Sequence, residues 1–315
     1  MDYPIKEQTA WRRVDSTKIS EAMDCMRKFM YTHIFGWRST APNNHLVFGE
    51  AWHGAMEHLL LNGYDDKGVM GSYDRFLKIY RREFSNDTDD MYSPKTPAMA
   101  LKALATYAEK FANDLHEFEV LYTEISGVVL VAEGRELYFK TDNILKDRDG
   151  KIFSLEHKTG SRIDSKWRDK WLLSTQVGTY THVMYCMYPP EQVKGVKING
   201  AFFYKSKTPE FERVPVWKSQ DQMHVWLHTT LWWLDELEFQ LQNFSEASQD
   251  DEVLTAYPMN PESCTKYFGC PFLDYCTAWP NPLRYADEPP MGFKTEWWDP
   301  TTKETTHKID MRKEL

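Results

Sequence analysis

Two kinds of periodicity alternate along the chain and predict its helices and strands. Apolar residues three or four apart predict helices, while short β-branched and aromatic runs between turn residues predict strands. Thr96, followed by a proline, marks the start of one predicted helix. The predicted helices cover 16–35, 49–62, 72–85, 97–118, 168–187 and 219–244, and the predicted strands cover 121–132, 136–146, 151–158 and 195–205.

One predicted hairpin carries charges that sheets normally leave to solvent. A three-residue loop at 148–150 fits the sequence Arg-Asp-Gly, because such loops favour glycine in the left-handed position. In this register Asp142 faces Glu156, and Lys158 shares the face of Glu156 because side chains alternate with a period of two. A two-residue loop would instead set Leu155 opposite Asp142.

The facing carboxylates of Asp142 and Glu156 have two interpretations. They could lie on a solvated strand face, where most charged side chains are found. However, two directly opposed carboxylates repel, so a sheet gains no stability from the pair. A hard divalent cation such as Mg²⁺ would remove the repulsion, since it is held by one or two carboxylates and phosphate oxygens. Lys158 could then act on the same phosphate as a point charge.

Three motifs carry a family resemblance. Asp142 is followed, after thirteen residues, by the tripeptide Glu-His-Lys at 156–158; GEAWH occupies 49–53 and QVGTY occupies 176–180. These stretches resemble the D…(D/E)xK, G-x-x-x-H and Q-x-x-x-Y motifs of the PD-(D/E)xK nuclease superfamily, in its RecB-like branch. That branch includes AddB nuclease domains and CRISPR-associated RecB-like exonucleases. It usually has glycine two residues before the aspartate, where this chain has Lys140.

The resemblance implies a fold, an activity and a site. The fold would be α/β, with a restriction-endonuclease-like core in which helices flank a mixed central sheet, and with helical additions. The activity would be that of a Mg²⁺- or Mn²⁺-dependent DNA exonuclease. Its catalytic residues would be Asp142, Glu156 and Lys158, its metal ligands His53, Asp142, Glu156 and the backbone carbonyl of His157, and its DNA contacts Gln176 and Tyr180. Glu124 matches a glutamate that often precedes the aspartate strand. Taken alone, His53 and Tyr180 would be structural residues.

The cysteines form a second constellation. Five cysteines without a signal peptide indicate a cytoplasmic protein in which metal ligation is commoner than disulfide formation. Their spacing alone leaves an iron–sulfur cluster, zinc or no metal as alternatives. The resemblance extends to the iron–sulfur subset of RecB-like nucleases, although that subset commonly has C-x2-C-x5-C and this chain has five residues in both gaps. It implies a 4Fe–4S cluster that clasps the N- and C-terminal segments together, with ligands Cys25, Cys264, Cys270 and Cys276. Cys186 would be a buried core thiol.

The charge balance restricts how the chain could bind nucleic acid. A net charge of −9 argues against a general nucleic-acid scavenger, because affinity for DNA comes largely from neutralised phosphates. A local patch could still bind DNA through Arg162, Lys166 and Arg168, with Trp167 available for base stacking. The alternative is a solvated loop anchored by its tryptophans. No run of eighteen apolar residues is present, so we expect no membrane partner.

The motifs suggest four regions. Residues 1–48 would form an N-terminal helical segment with the first cluster cysteine, and 49–245 the nuclease core, with a helical insertion at about 63–118. Residues 246–285 would carry the other cluster cysteines. Residues 286–315 would form an extended tail, which could contact a recombination or replication protein.

Three functions therefore compete. The favoured one is a metal-dependent exonuclease that acts on single-stranded DNA or duplex ends in recombination, repair or replication. A non-catalytic DNA-binding or assembly module could keep the same fold and cluster. A zinc-stapled structural protein is the third.

Overall fold

A mixed six-stranded sheet is the centre of the fold in the computed structural model, which describes residues 1–266, 269–302 and 305–312. Part of the predicted tail, residues 303, 304 and 313–315, lies outside these ranges. The strands are β1 (Trp37–Ser39), β2 (Phe118–Ala132), β3 (Arg135–Asp147), β4 (Ile152–Gly160), β5 (Val193–Phe202), β6 (Glu210–Val216), β7 (Phe293–Thr295) and β8 (His307–Met311). The large sheet has the order β6-β5-β4-β3-β2-β8, and β1 pairs with β7 in a small second sheet.

The predicted helices 49–62, 72–85 and 219–244 are present with shifts at their ends, whereas the predicted helices 97–118 and 168–187 are each divided into two. The helices of the structure are α1 (Ser16–Asp24), α2 (Met26–Phe29), α3 (Asn44–Asn62), α4 (Asp66–Tyr80), α5 (Pro97–Lys110), α6 (Asp114–Glu117), α7 (Ser165–Asp169), α8 (Thr175–Met187), α9 (Gln220–Ser245) and α10 (Leu273–Ala278). The start of α5 is confirmed, since the Thr96 side chain accepts a hydrogen bond from the Met99 N–H. The predicted helix 16–35 is interrupted at Cys25, whose backbone is extended.

The hairpin between β3 and β4 has the predicted three-residue loop. The Asp147 N–H donates to the Lys151 carbonyl at 2.9 Å, and the Gly150 N–H donates to the Asp147 carbonyl at 3.0 Å. Gly150 has a φ of +76°, the left-handed conformation that such a loop requires. The paired residues run from Lys146 opposite Ile152 to Asn143 opposite Leu155. The register prediction is therefore confirmed. Continued by one residue, the same register sets Asp142 opposite Glu156.

Two apolar cores cover the two faces of the sheet. On one face, β3 and β5 pack against α8 and α9, with Ile144, Ile198 and Val183 fully buried. On the other face, α3, α4 and α5 pack together over the far end of β5. The Phe48 ring lies 4.8 Å from that of Phe203, centroid to centroid. β4 and β5 run parallel and are joined through α8, so α8 is the crossover helix of a βαβ unit.

The C-terminal tail packs on the chain itself. β8 pairs in parallel with β2 and becomes the edge strand of the large sheet. The Trp297 indole donates to the Ile34 carbonyl at 3.0 Å, and the Trp298 indole donates to Asp15 Oδ2 at 3.2 Å. The described tail residues are therefore part of the fold, where the sequence suggested an extended arm.

Within the three described ranges, no helix combines the length and the apolar character that crossing a membrane requires.

Candidate active site

One pocket brings together six of the residues singled out in the sequence. It has a volume of about 780 Å³ and lies between α3, α4, α8 and the strands β3 and β4. Trp298 and Thr306 of the tail also line it. The predicted site residues that line it are His53, Asp142, Glu156, Lys158, Gln176 and Tyr180.

Asp142 is buried but has two hydrogen-bond partners. Its Oδ1 lies 3.1 Å from His53 Nδ1, and its Oδ2 accepts from the backbone N–H of His157 at 2.7 Å. Burial alone would raise the pKa of Asp142, but the neighbouring His53 outweighs it and holds that pKa well below its usual range. Asp142 is therefore a carboxylate at neutral pH.

Glu156 has one satisfied oxygen and one without a partner. Its Oε1 accepts from Lys158 Nζ at 2.6 Å and from Gln176 Nε2 at 3.1 Å. Its Oε2 is buried and has no hydrogen-bond partner among the described residues. Burial, reinforced by the charge of Asp142, raises the pKa of Glu156. Burial lowers the pKa of Lys158, but the carboxylates of Glu156 and Asp142 raise it by a larger amount. This lysine therefore stays charged.

These donors fit a hard divalent cation in chemical type. Two carboxylates, an imidazole and the His157 carbonyl offer oxygen and nitrogen ligands, and an orphaned buried carboxylate oxygen requires a partner. In the part of the chain that the structure describes, however, no three His, Cys, Asp or Glu side chains converge on one metal position. The donor types match the predicted site, whereas the coordination geometry is not formed.

Glu124 and Lys140 form a further buried pair in the same pocket. Their side chains are in ion-pair contact and largely buried. Burial and the nearby Asp142 raise the pKa of Glu124 to about 7. Glu124 also has a φ of +45°, an uncommon conformation for a residue other than glycine. Lys140, where the resembled branch usually has glycine, thus partly neutralises a third carboxyl group beside Asp142.

Helix α8 links β3 and β4 through hydrogen bonds. The Tyr180 hydroxyl donates to the Lys140 carbonyl of β3, and Gln176 donates both to Tyr180 Oη at 2.8 Å and to Glu156 of β4. Tyr180 is buried, while Gln176 is partly exposed to the pocket. The predicted shared face of these two residues on one helix is therefore confirmed.

The His157 side chain lies in a hydrogen-bond network that motif analysis did not find. Asn199 Oδ1 accepts from Arg213 Nε at 3.2 Å, so its amide nitrogen faces His157 Nδ1 at 2.8 Å. Arg213 is held in turn by an ion pair with Asp114. Burial lowers the pKa of His157 to about 3, so the ring is neutral. This network comes from four separate segments, so no local motif marks it.

The basic segment after β4 lies outside the pocket. Arg168 Nε lies 2.5 Å from Glu212 Oε1 and Arg162 Nε lies 3.0 Å from Asp164 Oδ2, while Lys166 is exposed. Trp167 is only 8% exposed, and its ring packs 4.7 Å from that of Phe202, centroid to centroid. Trp167 is therefore a core residue whose ring is not free to stack on a base, which corrects the prediction from sequence.

The Asn260 N–H, in the segment that carries Cys264, Cys270 and Cys276, donates a hydrogen bond to Cys25 Sγ at 3.4 Å. Burial raises the pKa of Cys276 to about 11, and the nearby Cys270 and Cys25 also raise it. Burial raises the pKa of Cys270 too, with Cys264 and Cys25 contributing. Cys186 lies apart on α8, where its Sγ is 3.8 Å from His182 Nε2. None of the five cysteines forms a disulfide, and those described converge on no metal position.

A comparison with models of protein families shows which superfamily the chain belongs to. The family model of the PD-(D/E)XK nuclease superfamily matches residues 16–277, which is most of the sequence. The chain belongs to the PD-(D/E)XK nuclease superfamily. The match spans all the pocket residues named from sequence, from α1 to the last cysteine of the C-terminal segment. The mixed sheet flanked by helices is consistent with the core of this nuclease superfamily.

Similar proteins add little beyond the superfamily. No curated protein matches the sequence. A crystal structure of a candidate exonuclease from Eubacterium rectale is 12% identical, covers 76% of this chain and 85% of its own, and has a TM-score of 0.42. The crystal structure of SSO0001 is 12% identical, covers 58% of this chain and 84% of its own, and has a TM-score of 0.27. Neither likeness carries a functional argument for this member of the nuclease superfamily.

The network around His157 predicts a large stability effect at Asn199. Asn199→Ala would remove one buried hydrogen-bond partner from each of His157, Tyr107 and Arg213, so we expect urea unfolding to show a loss of roughly 2–4 kcal/mol. The matched control is Asn62→Ala, at an exposed helix end, which should change stability by less than about 0.5 kcal/mol. Equal effects of the two substitutions would contradict the network.

Proposed function

We propose that this chain is a divalent-metal-dependent deoxyribonuclease of the RecB-like type that hydrolyses phosphodiester bonds from DNA ends. The observation that carries the proposal is the grouping of Asp142, Glu156 and Lys158 in one pocket, with a buried Glu156 oxygen that lacks a partner among the described residues. Charged groups kept out of water in this way cost stability, which is typical of functional sites.

The proposed metal ligands are His53, Asp142, Glu156 and the carbonyl of His157, and the proposed ion is Mg²⁺ or Mn²⁺. Bound there, the ion would polarise the scissile phosphate and lower the pKa of a bound water.

The remaining chemistry falls to the chain's own side chains. Lys158 carries a positive charge at the pocket wall and would stabilise the negative charge that develops on the phosphate oxygens, or orient the water. Gln176 and Lys158 hold Glu156 Oε1, which leaves Oε2 for the reaction centre. The His157 N–H fixes Asp142 Oδ2, and the Asn199 network fixes the His157 ring on the opposite side of the strand.

The RecB-like and exonuclease character is a finer proposal. It is supported by the location of His53, Gln176 and Tyr180, from the two flanking motifs, in the same pocket as the core motif. DNA would be the partner, as single strands or duplex ends, and recombination, repair or replication the setting. The DNA contact proposed for Gln176 is supported by its partial exposure beside Glu156.

We also propose a 4Fe–4S cluster on Cys25, Cys264, Cys270 and Cys276. What supports it is proximity: the Cys25 Sγ accepts a hydrogen bond from the Asn260 N–H of the cysteine segment at 3.4 Å, and Cys264 and Cys25 add to the effect of burial in raising the pKa of Cys270. A cluster there would link the N-terminal helices to the C-terminal segment and contribute to folding, because the site is absent from the unfolded chain.

The proposed chemistry predicts a sharp loss of cleavage on substitution in the hairpin. Asp142→Asn and Lys158→Met should each lower the rate of cleavage of end-labelled DNA in Mg²⁺ at least roughly 100-fold, because each removes charge that acts at the reacting phosphate. EDTA should abolish cleavage by the unaltered chain.

The controls are Asp149→Asn in the turn of the same hairpin and Lys146→Met on β3, neither of which lines the pocket. Both should cleave at the unaltered rate. If the unaltered chain binds DNA but never cleaves it, it is a binding module instead. Full activity of Asp142→Asn would refute the proposed mechanism.

The cluster makes a separate prediction. Protein purified without oxygen should be brown and contain about four irons per chain. Cys25→Ser and Cys276→Ser should remove both the iron and the visible absorption, because each removes a ligand. Cys186→Ser, on α8, should leave both unchanged. Colourless protein with stoichiometric zinc, or with five reactive thiols and no metal, would overturn the cluster and leave the hairpin chemistry standing.

A further inference from the structure

Helix α4, in the helical insertion, forms a wall of the candidate active site. Arg75 and Ile79 line the pocket, and their spacing of four residues puts them on one face of α4; Arg82, two residues beyond the end of the helix, also lines it. They lie across from α3, which contributes His53, Gly54 and Glu57 to the same pocket. Nothing in the sequence motifs drew attention to these arginines.

A glycine brings α4 close to the metal-ligand histidine. A Cβ added at Gly54 would lie 2.5 Å from Ile79 Cδ1 and 3.6 Å from Arg75 Cγ, so α4 can approach α3 this closely only where a side chain is missing. Because Gly54 directly follows His53, the Arg75 side chain reaches the pocket beside the catalytic residues. The close packing of α3 and α4 fixes the direction from which the Arg75 side chain enters the pocket.

The pocket cations differ in what they are paired with. Lys158 is bonded to Glu156, Lys140 is in contact with Glu124, and Arg82 lies 3.7 Å from the exposed Glu50. Arg75 is half-buried and forms no ion pair or hydrogen bond with any residue that the structure describes. Its guanidinium therefore brings five N–H donors to the pocket with no protein acceptor in the described ranges.

Arg81, the residue that follows the end of α4, is an arginine with a structural role. Its two terminal nitrogens each lie 2.6 Å from a carboxylate oxygen of Asp89, in a bidentate pair. Arg75 has no such carboxylate. The planar guanidinium of Arg75 can donate two parallel hydrogen bonds to the oxygens of a phosphate, as it could to those of a carboxylate.

We propose that Arg75 binds a phosphate of the DNA strand next to the scissile one, with Arg82, just beyond the end of α4, binding a further phosphate of the same strand. This inference rests on the proposed nuclease function and deepens it. It routes the substrate strand along the α3–α4 wall and not along the basic segment 162–170, whose two arginines are paired with carboxylates outside the pocket. The helical insertion is then the part of the chain that positions the strand.

The test is the salt dependence of DNA binding. A fluorescein-labelled single strand of about 20 nucleotides is titrated in EDTA, so that it is not cleaved, and its anisotropy is followed at several NaCl concentrations. Arg75→Gln should weaken binding roughly 10-fold, since a hydrogen-bonded charge pair is lost. It should also make the negative slope of log K against log salt shallower by about 0.7, the value for one phosphate contact to a single strand. Arg75→Lys should keep the slope, because it keeps the charge.

Lys78→Gln is the matched control. It removes one positive charge from the exposed surface of the same helix, outside the pocket, and should leave slope and affinity unchanged. If the unaltered chain cleaves DNA and Arg75→Gln binds it with the unaltered slope, this inference is overturned while the nuclease function stands. If the unaltered chain neither binds nor cleaves DNA, the proposed function fails. Should Arg75→Gln not fold, as judged by circular dichroism, Arg82→Gln decides in its place: a shallower slope supports the proposal, and an unchanged slope overturns it.

Discussion

The repulsion between two buried carboxylates is the constraint around which this structure is organised. Asp142 and Glu156 are brought together by the register of a single hairpin, and both are nearly inaccessible to water. Burying one charge is already expensive, and a second beside it adds Coulombic repulsion at low effective dielectric. Each surrounding element offsets part of this cost: α3 contributes His53, α8 contributes Gln176, and β4 itself contributes Lys158.

These partners separate the two carboxyl groups chemically. Asp142 is held by an imidazole and a backbone N–H, and its pKa is depressed; Glu156 has an unsatisfied oxygen, and its pKa is raised by burial and by Asp142. Two acids whose environments push their pKa values apart are typical of sites that handle charge during a reaction. The same arrangement explains why a cation at this position would stabilise the fold as well as the chemistry.

The hairpin was the part of the site most open to prediction from sequence. Its turn needs a glycine at the left-handed position, and the period of two then fixes which side chains share a face, so Gly150 sets the level of Asp142 and Glu156. β6 was missed because Pro215 and mixed burial hide its strand pattern, and β8 because it is an edge strand in a polar tail. Conversely, the basic segment was conspicuous in sequence, yet its two arginines pair with carboxylates outside the pocket, while Arg75 reaches the pocket through the packing of two helices.

The most direct test of the account is the binding of Mn²⁺, measured by isothermal titration calorimetry with the unaltered chain and with Glu156→Gln. This substitution preserves the size of the side chain and removes the charge that the proposed ion would neutralise. The account predicts one Mn²⁺ per chain at this site, with binding lost or weakened at least roughly 10-fold in Glu156→Gln. Equal affinity and stoichiometry in the two proteins would contradict it, because the buried carboxylates would then have no role in holding a metal.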